Sequence, residues 1–236
     1  MRWLLPALLL LTGCAGEIGV AGFDVGRLFP ERADWLWQYN NDDFEEESFW
    51  RSVGDTSPNG EAWATYQVWV SSHEDFLADV QADADGWDFE LYFADRTGSL
   101  DAALGSGWYF MGWSGGAGDE FSLGEQFLSQ DGLPFAMANS TSGQLRTVTL
   151  DGWDFQLTSS RQDATLEFNG QSIRDYWDVE VVSEQGSFPF EGTYSMQSGP
   201  GLFQFDAAAV RSGEDEPAPW QHRHNDTWEN VLGVPN

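Results

Sequence analysis

The sequence predicts a mainly β protein: an antiparallel sandwich, open barrel or curved half-barrel with one or two short helices. Three observations carry this. Apolar and polar residues alternate with period two through the middle of the chain, and long 3.6-residue apolar stripes are absent. Gly, Asp and Asn interrupt the alternation at hairpin spacing. The 236 residues are 41% hydrophobic and include 13 Trp and 17 Phe, enough apolar matter for a full core, which argues against wholesale disorder.

Taken in order, the strand candidates are 64–70, 107–111, 145–150, 164–168 and 202–205. One further pattern occurs three times, as Trp87-Asp88-Phe89-Glu90-Leu91, Trp153-Asp154-Phe155-Gln156-Leu157 and Trp177-Asp178-Val179-Glu180-Val181. Asp-Gly precedes the first two copies, so each reads as a strand leaving a tight turn. Strand alternation then places Trp87, Trp153 and Trp177 inward and the Asp after each of them in solvent. The best helix is 73–82, with Phe76, Leu77 and Val80 on one side and acidic residues early, where the helix dipole favours them.

Charge narrows the partners. Ten Arg, no Lys and 39 acidic residues give a net charge of −29, and nucleic-acid affinity rests on the cations this chain lacks. Nucleic acid is excluded as a partner. The acids are spread along the chain rather than blocked, the pattern of a solvated surface. A single Cys excludes an internal disulfide framework and any Cys-rich zinc or iron-sulfur site.

That Cys closes a recognisable start. Met1 and Arg2 precede an apolar run from Trp3 to Leu11, too short to span a bilayer, and Leu11-Thr12-Gly13-Cys14 follows it. This segment resembles the bacterial lipobox. The resemblance implies cleavage before Cys14, lipidation of its thiol and attachment to the membrane through several acyl chains, each buried methylene contributing about 0.8 kcal/mol. Ala15, in place of Asp, resembles the outer-membrane sorting choice of lipoproteins, with the domain facing the periplasm or the surface. The organisation that follows is a signal peptide over 1–13, a Gly-rich flexible tether over 14–28, a β domain over 29–211 and an acidic, Pro-containing tail over 212–236.

Leu28-Phe29-Pro30 followed by Trp35-Leu36-Trp37-Gln38-Tyr39 is similar to the start of the mature domain in a group of β-rich bacterial envelope lipoproteins. The runs GQSIRDYWDVEVV from Gly170 and YSMQSGPGLFQF from Tyr194 resemble the late and closing strands of that group. The match brackets about residues 28–206. It implies a curved antiparallel sheet on an envelope lipoprotein and transfers no catalytic residue.

Candidate chemistry is sparse. Asp88 and Glu90 lie about 6.7 Å apart at ~3.3 Å per strand residue, a separation that glycoside hydrolases use. Gln156 replaces the second carboxylate in the next copy, and a solvated strand face accounts for both. Asp79, Asp83, Asp85 and Asp88 surround Gly86, but Gln81 and Tyr92 stand where a calcium loop needs its first and twelfth ligands. His222 and His224, with Asp226 nearby, lack an evident further ligand, and His73 stands alone. Hydrolase elbows, phosphate loops and dinucleotide fingerprints are missing.

Residues 107–113 are apolar on both faces of any strand. Either this is a central strand buried on both sides, or Trp108, Tyr109, Phe110 and Trp113 line a cavity or present rings to a sugar. The expectation is a non-enzymatic, lipid-anchored envelope protein with no cofactor and no metal. A carrier, or a carbohydrate- or lipid-binding module using the aromatic face, is the first alternative, and a carboxylate-dependent hydrolase the second. The expected partners are the membrane, reached through the lipid, and an apolar or sugar ligand.

Overall fold

The computed structural model describes residues 36–39, 46–72, 86–97, 105–115, 124–128, 131–138, 140–168, 171–184, 188, 190–197, 201–210, 217–222 and 229–230. These residues are all strand, turn and connecting chain, in two antiparallel sheets with no helix and no closed barrel among them. The helix expected over 73–82 lies outside the described residues, as do the signal segment and the tether.

In the first sheet, β1 (Leu36–Tyr39), β2 (Glu46–Thr56), β3 (Trp63–Ser72), β4 (Phe89–Asp95), β5 (Gly107–Gly115) and β6 (Glu125–Phe127) form a meander. β7 (Leu133–Met137) pairs with β5 beyond β6, along the same edge. The second sheet is another meander, of β8 (Gln144–Leu150), β9 (Trp153–Phe168), β10 (Gln171–Ser183), β11 (Glu191–Gln197), β12 (Gly201–Val210) and β13 (Pro217–His222). β14 (Glu229–Asn230) returns to pair with β1. Chain neighbours are sheet neighbours almost throughout, which antiparallel pairing with short connections favours. Residues 164–168 are the last five of the 16-residue β9 rather than a separate strand. Within the stretch read as a tail, β13 extends the second sheet and β14 the first.

The Asp151-Gly152 turn behaves as its sequence requires. Leu150 pairs with Trp153, and the two residues between them have φ of 50° and 93°, the signs that a two-residue type I′ hairpin needs.

The sheets share one aromatic core. Trp50, Val68, Phe89, Leu91, Phe93, Phe110 and Phe135 of the first sheet join Phe155, Leu157, Val179, Val181, Tyr194 and Met196 of the second. Rings meet directly across it, Phe135 with Tyr194 at 5.0 Å and Trp113 with Trp153 at 6.3 Å between centroids. Phe188 and Phe190, between β10 and β11, pack edge-on against Trp113 and Phe110. The void left at the centre measures only about 20 Å³, room for about one water.

A second cluster lies outside this shared core. Trp63, Tyr92, Ala94, Tyr109, Met111 and Met137 are buried on the other face of the first sheet, so that sheet is covered in part on both sides. Asp88 was expected in solvent; it is 5% exposed, and its amide donates to the Val68 carbonyl at 2.8 Å. Trp87, expected in the core, is half-buried ahead of β4 and meets Trp69 edge-on at 6.5 Å. The strand phase itself holds in each copy, since Phe89 and Leu91, Phe155 and Leu157, and Val179 and Val181 all lie in the shared core. Trp177 is buried and Trp153 packs partly exposed against the core, while Asp154 and Asp178 are half-buried. Thr149 Oγ1 donates to Asp154 and Ser195 Oγ to Asp178, both at 2.6 Å, so neighbouring-strand hydroxyls take the place of water.

Candidate functional site

β5 resolves the aromatic run. Trp108, Phe110 and Trp113 lie in the core between the sheets, and Tyr109 lies in the second cluster. All four are at most 5% exposed. Strict alternation would send Phe110 and Trp113 to opposite faces. A bulge instead sets Tyr92 opposite Gly112 and Phe93 opposite Phe110, leaving Met111 as the extra residue. Phe110 and Trp113 therefore share the inner face and stack at 6.2 Å with planes 11° apart.

The outer face of the first sheet carries a row of polar residues in register: Arg51 opposite Gln67, Gln67 opposite Glu90, Glu90 opposite Ser114 and Ser114 opposite Glu125. Arg51 Nε donates to Gln67 Oε1 at 3.1 Å, and Gln67 Nε2 donates to Glu90 Oε1 at 2.9 Å. Tyr92 OH donates to Glu90 Oε2 at 2.7 Å and lies 2.8 Å from Ser114 Oγ. Burial pushes the Tyr92 phenol well above its ordinary range, and the Glu90 carboxylate adds to this. The Arg51 guanidinium lies 5.1 Å from the Trp69 ring centre. Both carboxylates of the proposed hydrolase pair thus have structural surroundings: Glu90 is held from two sides, and Asp88 is buried.

The open concavity lies elsewhere, at the end of the first sheet's inner face. A cleft of about 390 Å³ is lined by Ser52, Gly54, Asp55, Ala62, Ala64, Tyr66, Asp95 and Trp108. Pairing builds it: Ser52 faces Tyr66, Asp55 faces Ala64, and Asp95 faces Trp108. The β2 register shifts between Ser52 and Gly54, which turns the strand where the core ends. Small side chains at Gly54, Ala62 and Ala64 leave the space open. Asp55 and Asp95 are exposed at its rim, whereas Ser52, Tyr66 and Trp108 are each 2% exposed and form its floor. Thr97 N donates to Asp95 Oδ1 at 2.8 Å and orients that carboxylate.

Of the four aromatics singled out in the sequence, Trp108 alone borders this cleft. Sequence reasoning missed Ser52, Asp55 and Asp95, which lie far apart along the chain and carry no motif. Cys14 lies outside the described residues, as do His73, His224, Asp79, Asp83, Asp85 and Asp226, while the backbone of His222 in β13 pairs with Phe205 in β12. Among the described residues, no three His, Cys, Asp or Glu converge to hold a metal ion. Comparison of the chain with family models, with curated proteins and with solved structures returns no match.

Proposed function

We propose that this chain is a lipid-anchored envelope protein with a non-enzymatic structural or binding role, held at the outer membrane through Cys14. The observation that carries the reading is the placement of the chain's single Cys at the end of Leu-Thr-Gly-Cys, directly after a short apolar run. The non-enzymatic part is supported by the strand-face acids: Glu90, Asp154 and Asp178 each accept a bond from a neighbouring side chain. A binding role is supported by the open cleft at the end of the first sheet.

The test is Cys14→Ser in a bacterial host supplied with radiolabelled fatty acid. The expected result is an unprocessed, unlabelled precursor beside a labelled, membrane-bound wild type. Equal labelling of the two overturns the anchor.

A further inference from the structure

We propose, on the binding reading above, that the cleft lined by Ser52, Asp55, Asp95 and Trp108 is a saccharide site that takes one polyhydroxylated ring through its hydroxyl groups. Its volume of about 390 Å³ falls in the range of about 300–1,000 Å³ typical of small-molecule sites. The central void, at about 20 Å³, has no such room.

The polar groups select the chemistry. Asp55 and Asp95 stand on β2 and β4 with β3 between them, and each ionised carboxylate can only accept hydrogen bonds. Ser52 Oγ receives Gly54 N at 3.4 Å, a long contact that leaves the hydroxyl proton for a ligand oxygen. Two acceptors beside one donor match neighbouring ring hydroxyls, which donate and accept at the same atom. Tyr66 and Trp108 close the cleft from below, beneath these polar groups.

Other ligand classes fit less well. An apolar ligand would strip water from the exposed Asp55 and Asp95 carboxylates at the rim. An anion would meet both of them on a chain of net charge −29. An organic cation would pair with the same two carboxylates but would leave the Ser52 hydroxyl proton without an acceptor and, with Tyr66 and Trp108 each 2% exposed, would find no open aromatic face; spermidine tests this class directly.

The test uses the full-length lipoprotein in detergent, titrated calorimetrically with glucose, galactose, mannose and N-acetylglucosamine, and with spermidine as the cationic counter-probe. At least one sugar is expected to bind. Asp55→Asn and Asp95→Asn should each weaken that sugar about tenfold or more, the scale of a charge-assisted hydrogen bond. Asp163→Asn, at a side chain 90% exposed on β9, should bind as wild type does. Circular dichroism establishes that each variant is folded. Absence of a heat signal with every sugar, binding unchanged in both cleft variants, or binding of spermidine alone overturns the proposal. Fatty-acid labelling separates this failure from that of the anchor: a labelled protein that binds no sugar sinks the cleft alone, and an unlabelled protein that binds one sinks the anchor alone.

Discussion

Asp88 has a buried carboxylate where the strand pattern placed a solvated one, and that difference is measurable. Removing a buried, partnered polar group costs about 1–3 kcal/mol, whereas Glu180→Ala, at an exposed position of β10, should cost under about 0.5 kcal/mol. Asp88→Ala should therefore shift the urea midpoint well beyond Glu180→Ala, and equal midpoints would return Asp88 to solvent. The tyrosines make a second prediction at this scale. Burial raises the phenols of Tyr92, Tyr109, Tyr176 and Tyr194 above their ordinary value. In the unfolded chain they ionise near pH 10, while in the folded one they keep their protons. Above about pH 10 the unfolded state has lost protons that the native state holds, so stability falls as pH rises and is fully present below that point. Urea melts in alkaline buffers should show this decline, with tyrosinate absorbance appearing together with unfolding. Ionisation of more than two of the six tyrosines near pH 10 in a chain that remains folded would contradict the burial.

At the scale of an element, β5 depends on Gly112. Its φ of 136° is one that L side chains rarely adopt, and a Cβ there would collide with the carbonyl oxygen of Gln126 on β6. Gly60 also has a positive φ, 93°, but a Cβ there meets open space. Gly60→Ala should thus cost about 1–3 kcal/mol through backbone strain. Gly112→Ala should cost distinctly more, because β6 must move as well, and exchange of the β6 amides should speed up in that variant alone. Equal losses would show that β6 yields freely. The alternation within 107–113 made a doubly buried strand legible, since both faces of the run are apolar. Which rings share a face was not legible, because the bulge at Met111 is set by pairing with β4 and leaves no mark in the spacing.

At the scale of the whole molecule, 39 acidic residues against 10 Arg repel one another more strongly in the compact state than in the expanded one. Salt shortens the screening length to about 10 Å at 0.1 M and about 3 Å at 1 M. Sodium chloride should therefore raise the melting temperature of the β domain, most steeply at the low end of the titration. A flat or falling curve would remove diffuse repulsion as a factor. Calcium should act on this domain only as a screening ion, with no saturable stabilisation of its own at low concentration.

The β class, the positions of most strands and the tight turn at Asp151-Gly152 follow from local chemistry: period-two alternation, and a backbone sign that Asp and Gly tolerate. These are properties of neighbours in the chain. The lipobox reading is equally local, resting on four consecutive residues. The burial of Asp88, the shared face of Phe110 and Trp113 and the cleft between Asp55 and Asp95 were decided only by tertiary structure. Each depends on what lies across a strand pair or on the far side of a sheet. Asp55 and Asp95 look like any two acids of an acidic chain until β3 sets β2 and β4 on either side of it.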